Sequence, residues 1–209
     1  MTTITLTSSL CILTQDENDD MYYDDTKITA FPVIISKTST SLCFVKFTSD
    51  LRINNTSQYF IINSNNIILD GQGHIVNIND VPNYPGLVLS TDYDSTIQNI
   101  GVHSNNSTLA EAQGWILQQN GVYTTLFNCF SDGVISPSSG GICGAGLVEG
   151  TINNCYSLGN IIYTDPGHNI ISVVAYAEVV VLILKSTIVI QQVTAVKEQA
   201  VYVDLAVVL

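Results

Sequence analysis

Basic residues are scarce in this sequence. Arg52 is the only arginine, lysine and arginine together number 6 against 18 aspartates and glutamates, and the formal net charge is -12. Nucleic-acid binding takes most of its affinity from neutralised phosphates, so this charge balance excludes nucleic acid as a partner. Long apolar runs are missing too. The most apolar stretch, ISVVAYAEVVVLILKSTIVI, is broken by Glu178 and Lys185, short of the ~20 uninterrupted apolar residues that a membrane span needs. The N-terminus, MTTITLTSSLCILTQDENDD, lacks a basic n-region, so no secretory signal is expected. Cysteine occurs five times, at Cys11, Cys43, Cys129, Cys143 and Cys155, with no CxxC pair. That argues against zinc, and the odd number and even scatter fit buried free thiols better than a disulfide framework.

Residues 1–30 are Thr-rich and then acidic: Asp16, Glu17, Asp19, Asp20, Asp24 and Asp25 all precede Lys27. Their spacing does not follow a calcium-binding EF-hand loop. The expectation for this stretch is a solvated, loosely ordered segment. From Phe31 the texture changes to short β-branched runs separated by Asn, Ser, Asp and Gly. Phe60–Ile62, Ile67–Leu69 and His74–Ile78 are of strand length, as are Leu87–Leu89, Thr96–Val102, Trp115–Leu117, Gly121–Phe127 and Thr151–Ile152. None has the 3.6-residue period or the length of a helix.

A repeat runs through the second half. Asn128-Cys129-Phe130-Ser131-Asp132-Gly133 returns as Asn154-Cys155-Tyr156-Ser157-Leu158-Gly159, with Gly140-Gly141-Ile142-Cys143-Gly144 between the copies. A period in the twenties, made of short strands and Gly or Asn turns, predicts a solenoid with one coil per repeat. Coils stack about 4.8 Å apart, so equivalent residues form columns. Cys129 and Cys155 are then expected in one column of adjacent coils. A disulfide there is geometrically open, and a buried thiol ladder is the reading adopted.

The stretch from about Gly121 to Gly159, with GGICG followed by GTINNCYSLGNI, resembles the GLUG-type repeat of bacterial surface proteins and of repetitive proteins of large DNA viruses. YFIINSNNIILDGQGHIVNI resembles an opening coil of the pectate-lyase-like proteins. The resemblance implies an all-β, right-handed parallel β-helix over residues 31–169. A viral member of this kind would reside in the virion or the host cytoplasm. The fold hosts enzymes and inert scaffolds alike, so function must come from a site.

All fourteen glycines lie at or before Gly167, and residues 170–209 are Val-rich. Without turn residues this tail is not expected to coil. Codons read one step out of frame allow Val173–Ala177 to encode Gly-Gly-Ile-Cys, Ile188–Val193 to encode Cys-Tyr-Ser-Thr-Gly, and Ala200–Asp204 to encode Gly-Gly-Ile-Cys-Gly. The tail therefore reads as frameshifted, with the switch near Asn169–Ser172, in preference to an evolved cap. The coding DNA decides between the two.

Candidates for chemistry are few. His74 follows Asp70-Gly71-Gln72-Gly73 and reads as a turn residue opening a strand rather than as an acid–base group; His103 and His168 have no partner recognisable in sequence. Asp70, Asp80, Asp92, Asp94, Asp132 and Asp165 offer pairs of carboxylates, as glycoside hydrolysis requires, but also sit where turns take Asp. Pectate lyases combine acidic Ca²⁺ ligands with a basic residue, typically arginine, and Arg52 is placed before the first clear coil. Cys155 and Ser157 lack an adjacent base. Trp115, Tyr123 and Tyr156 can stack on sugars or brace the coil. Asn54–Ser57 and Asn105–Thr108 satisfy glycosylation sequons but read as Asn-rich turns.

No catalytic residue, cofactor or metal site is assigned. The expected function is a non-catalytic scaffold or a surface and carbohydrate-binding module. The alternatives are a polysaccharide lyase or glycoside hydrolase of the same fold, and a gene fragment without function. Expected partners are carbohydrate or another protein, with self-association through the open coil end.

Overall fold

A computed structural model describes residues 1–90, 93–136 and 138–160. The Val-rich segment 170–209 lies outside these, as do Asp92, Asp165 and His168. Among the described residues there are strands and turns and no helix, and hence no helix long and apolar enough to cross a membrane. The strands stack as a parallel β-solenoid of three sheets.

The first coil carries β1 (Thr2–Leu6) and β2 (Leu10–Gln15), followed by a hairpin of β3 (Met21–Tyr23) and β4 (Thr26–Lys27). The second carries β5 (Val33–Lys37), β6 (Cys43–Phe47) and β7 (Leu51–Ile53). The third has β8 (Phe60–Ile62), β9 (Ile67–Asp70) and β10 (Ile75–Asn79), and the fourth β11 (Val88–Ser90), β12 (Ser95–Gln98) and β13 (Gly101–Asn105). Two thinner coils follow, with β14 (Thr124–Phe127) and β15 (Phe130–Ser131), then β16 (Thr151–Asn153) and β17 (Tyr156–Ser157). The first sheet runs β1-β5-β8-β11, the second β16-β14-β12-β9-β6-β2-β3-β4, and the third β17-β15-β13-β10-β7. Among the described residues only the β2–β3 and β3–β4 pairings are antiparallel.

Period-2 alternation sets the register. In β6, Cys43, Val45 and Phe47 are buried while Phe44 and Lys46 face outward. Val45, Leu69, Ile97, Leu126 and Ile152 then align as one inner column of the second sheet. Leu51, Val76, Val102, Ser131 and Ser157 form the corresponding column of the third. Each fully buried aliphatic side chain contributes ~1.5–3 kcal/mol of transfer free energy, and a one-residue slip would turn the whole column outward. Towards the last coils hydroxyls replace aliphatics, and they satisfy one another. Ser90 and Ser95 Oγ are 2.9 Å apart, and Thr124 Oγ1 lies 3.1 Å from Ser90 Oγ.

From the fourth coil on, the corner between the second and third sheets turns on a single residue in the left-handed region. Asn99, Asn128 and Asn154 hold it with φ of 53°, 53° and 52°, a conformation that asparagine tolerates better than most side chains. Their amides form a ladder: Asn154 Nδ2 donates to Asn128 Oδ1 at 2.9 Å, and Asn128 Nδ2 to Asn99 Oδ1 at 2.8 Å. Asn99 Nδ2 ends the ladder on Asp70 Oδ1 at 2.9 Å.

Two expectations need correction. Residues 1–30 are not loosely ordered, and the stack begins at Thr2 rather than Phe31: β1 pairs with β5 and β2 with β6 over their full apolar registers. The acidic run is ordered by local bonds. Asp16 accepts the N–H groups of Asn18 and Asp20 at 2.9 and 3.0 Å and the Tyr22 hydroxyl at 3.1 Å. Met21 and Ile28 are buried beneath the first coil. Gln15 covers the free edge of β7, its amide donating to the Arg52 carbonyl at 3.0 Å and accepting from the Arg52 N–H. The second correction is that Arg52 lies inside the second coil, on β7.

Among the expected strands, Thr96–Val102 divides into β12 and β13 at the Asn99 corner. Trp115–Leu117 forms no strand and makes two isolated bridges, from Leu117 to Val88 and to Cys143.

Candidate functional face on the third sheet

The outer surface of the third sheet carries two columns of chemistry-bearing residues. One runs Ile75, Gly101, Phe130 and Tyr156. Gly101 leaves room on β13 that Phe130 occupies: a Cβ added to Gly101 would lie 2.4 Å from the Phe130 ring and 2.6 Å from Ile75 Cδ1. Tyr156 stacks on Phe130 with centroids 5.5 Å apart and planes at 11°, and 42% of Tyr156 remains exposed. The glycine is what turns three separate side chains into one continuous apolar strip.

The neighbouring column runs Arg52, Asn77 and His103, with Asp132 of the next coil bonded to His103. His103 Nδ1 lies 2.5 Å from Asp132 Oδ2, and Asp132 Oδ1 accepts the Ser104 N–H at 3.0 Å. A carboxylate only accepts, so Nδ1 carries the proton that faces Asp132. His103 is 53% exposed at its side chain. His74 repeats the device lower on the same sheet, with Nδ1 3.1 Å from Asp50 Oδ1, which also accepts the Ile75 N–H at 2.9 Å. Arg52 pairs with Asp19 at 2.8 Å.

The other sequence candidates fall elsewhere. Asp70 accepts four bonds at the Asn corner: from the Gln72 N–H, Gln72 Nε2, Gln98 Nε2 and Asn99 Nδ2, at 2.6–2.9 Å. Burial pushes its carboxyl up, but these donors outweigh burial and hold it below the ordinary aspartate range. Asp80 is a left-handed turn residue with φ 57°. Asp94 donates its N–H to Asn65 Oδ1 at 2.8 Å, at the corner leading into β12. Asp70, Asp80, Asp94 and Asp132 thus have different partners, at different corners and turns.

Ser157 Oγ bonds Ser131 Oγ at 2.9 Å on the inner side of the third sheet. Trp115 is buried, donates to the Val134 carbonyl at 3.1 Å and stacks on Tyr84. Tyr123 is exposed but away from the strip, in a left-handed turn with φ 53°. The Asn-rich clusters are turns: Asn55 Oδ1 accepts from the Ser57 N–H and hydroxyl at 3.0 and 2.6 Å, and Ser107 is buried with its hydroxyl bonded to the Ile78 carbonyl at 3.0 Å. Among the described residues, no three His, Cys, Asp or Glu side chains converge as a metal site.

Sequence reasoning missed the His103–Asp132 pair, the Asp50–His74 pair and the part played by Phe130 and Gly101. For the first pair the signal lay in the corners: with Asn99 and Asn128 aligned, His103 and Asp132 fall opposite each other. Comparison of the chain with protein families, curated proteins and solved structures finds no match.

Proposed function

We propose that this protein is a non-catalytic repeat scaffold, of the GLUG-type and pectate-lyase-like kind its motifs resemble, that holds a neutral glycan on the outer face of its third sheet. The observation that carries this reading is the Phe130–Tyr156 stack beside the His103–Asp132 pair. Sugar rings present C–H faces to aromatic surfaces and hydroxyls to flanking polar groups, and this face supplies both. The net charge of -12 disfavours polyuronates, which the solenoid would repel. Against catalysis stand the bonds that occupy the groups an enzyme would recruit. Asp70 is saturated by four donors, and Arg52 is held by Asp19.

A panel of neutral and acidic oligosaccharides, with and without Ca²⁺, tests the proposal. Neutral glycans should bind, and Tyr156→Ala should weaken binding about tenfold, the ~1–1.5 kcal/mol of one aromatic contact, with far-UV circular dichroism unchanged. Binding that is indifferent to Tyr156→Ala removes the site from this face. Cleavage of any polysaccharide that is lost in Asp132→Asn overturns the scaffold reading in favour of an enzyme.

A further inference from the structure

The repeat that builds the last two coils also superposes two thiols. Tyr156 N–H donates to the Cys129 carbonyl at 3.1 Å, and Cys129 N–H donates to Cys155 Sγ at 3.3 Å. The Cys155 sulfur therefore leans down onto the coil beneath it, against the backbone of its own counterpart. Both residues are buried, in one inner column. Parallel neighbours lie about 4.8 Å apart, within the roughly 4.4–6.8 Å between Cα atoms that a disulfide spans.

Other cysteines lack this arrangement. Cys11 aligns with Val45 rather than with Cys43, and Cys43 aligns with Ile67. Cys143 aligns with Leu117. Among the described residues only Cys129 and Cys155 are superposed on adjacent coils.

We propose that Cys129 and Cys155 are a thiol-oxidation site, closed by a low-molecular-weight disulfide into a covalent staple between the last two described coils. The Cys155 thiolate attacks one sulfur of the small disulfide and releases one thiolate, leaving Cys155 in a mixed disulfide. The Cys129 thiol then loses its proton and attacks the Cys155 sulfur, expelling the second small thiol. Two protein thiols and one small disulfide become one protein disulfide and two small thiols, so the electrons balance. The order follows from the hydrogen bonds. Cys155 Sγ accepts the Cys129 N–H, a bond that favours its thiolate. Cys129 is the more deeply buried of the two, and its own thiol donates to the Phe127 carbonyl at 3.3 Å, so Cys155 attacks first.

This staple does not depend on glycan binding. The full chain, incubated with glutathione disulfide below its unfolding temperature and then alkylated and digested, should yield a peptide linking Cys129 to Cys155. Its mass should be about 2 Da below the sum of the reduced peptides. Dithiothreitol should restore both thiols to alkylation, and the oxidised chain should melt at a higher temperature than the reduced one. Cys129→Ser should instead leave Cys155 as a stable mixed disulfide with glutathione. Full alkylation of both residues after glutathione disulfide treatment overturns the proposal, and so does a link to Cys143; both are read on the unsubstituted chain, whether or not the variant folds.

Discussion

Replacing Asp70 tests the idea that one carboxylate anchors the asparagine corner. The side chain is nearly sealed, at 4% exposure. Oδ1 accepts from the Gln72 N–H and Asn99 Nδ2, and Oδ2 from Gln72 Nε2 and Gln98 Nε2. Each hydrogen bond to a charged group is worth ~1.5–3 kcal/mol at most. The two glutamine amides can turn to water, so the Gln72 N–H and Asn99 amide bonds dominate, and Asp70→Ala should cost about 2–4 kcal/mol. For a chain of this size 1 kcal/mol moves the thermal midpoint by roughly 2–4 °C, so a fall of roughly 5–15 °C is expected by circular dichroism at pH 7. Asp70→Asn keeps one acceptor and should lose less.

The pH dependence has a fixed sign. The folded carboxyl titrates below the ordinary aspartate value, so its stabilisation is fully present above about pH 3.9, the unfolded value, and disappears as pH falls through the lower folded value. The gap between the native chain and Asp70→Ala should therefore narrow below about pH 4. An Ala variant within about 0.5 kcal/mol of the native chain at pH 7, or a gap that stays constant down to pH 3, would refute the anchor, since four real bonds cannot vanish unnoticed.

Two further substitutions follow from the packing. A Cβ on Gly133 would sit 2.3 Å from the Trp115 indole, so Gly133→Ala should cost about 1–3 kcal/mol; with Trp115 the only tryptophan, its emission should shift, and an unchanged spectrum and midpoint would count against this contact. Gln15→Ala uncovers the Arg52 backbone at the edge of β7, for which about 1–2 kcal/mol and faster amide exchange at Arg52 and its neighbours are expected. Exchange at Arg52 as slow as in the native chain would show that Gln15 is no cap.

The solenoid was legible because its inner residues repeat at a fixed spacing while its turns are asparagine and glycine. Cys129 and Cys155 could be put in one column from sequence, and the column is there. The first coil was not legible. In LTSSLCILTQ the apolar alternation is present, but the acidic run after it dominates any compositional reading. Only the Asx-type bonds of Asp16 and the burial of Met21 and Ile28 show how ten acid-rich residues are held in a hairpin. Histidine partners were hidden for another reason. Asp132 is 29 residues from His103, and coil lengths vary, so neighbours on an outer face emerge only when every corner is drawn. Trp115 read as either a sugar platform or a brace of the coil, and its indole N–H has a backbone acceptor inside the core, a pairing no linear pattern announces.

The asparagine corner has a consequence for where this chain tolerates change in length. Successive amides of the ladder are 29 and 26 residues apart, although the corner itself is one residue at each level. Over these three levels the variation is absorbed on the other side, in stretches such as 106–116 between β13 and the Leu117 bridge. An added residue at Asn128 would break two amide contacts and shift both flanking strands. A peptide grafted near Glu111, an exposed turn residue, would lengthen a loop that already differs from coil to coil, at a loop-closure cost that grows only slowly with length. From Asn99 to Asn154 this seam is therefore closed to insertion, and the opposite side is a ready place to display foreign sequence.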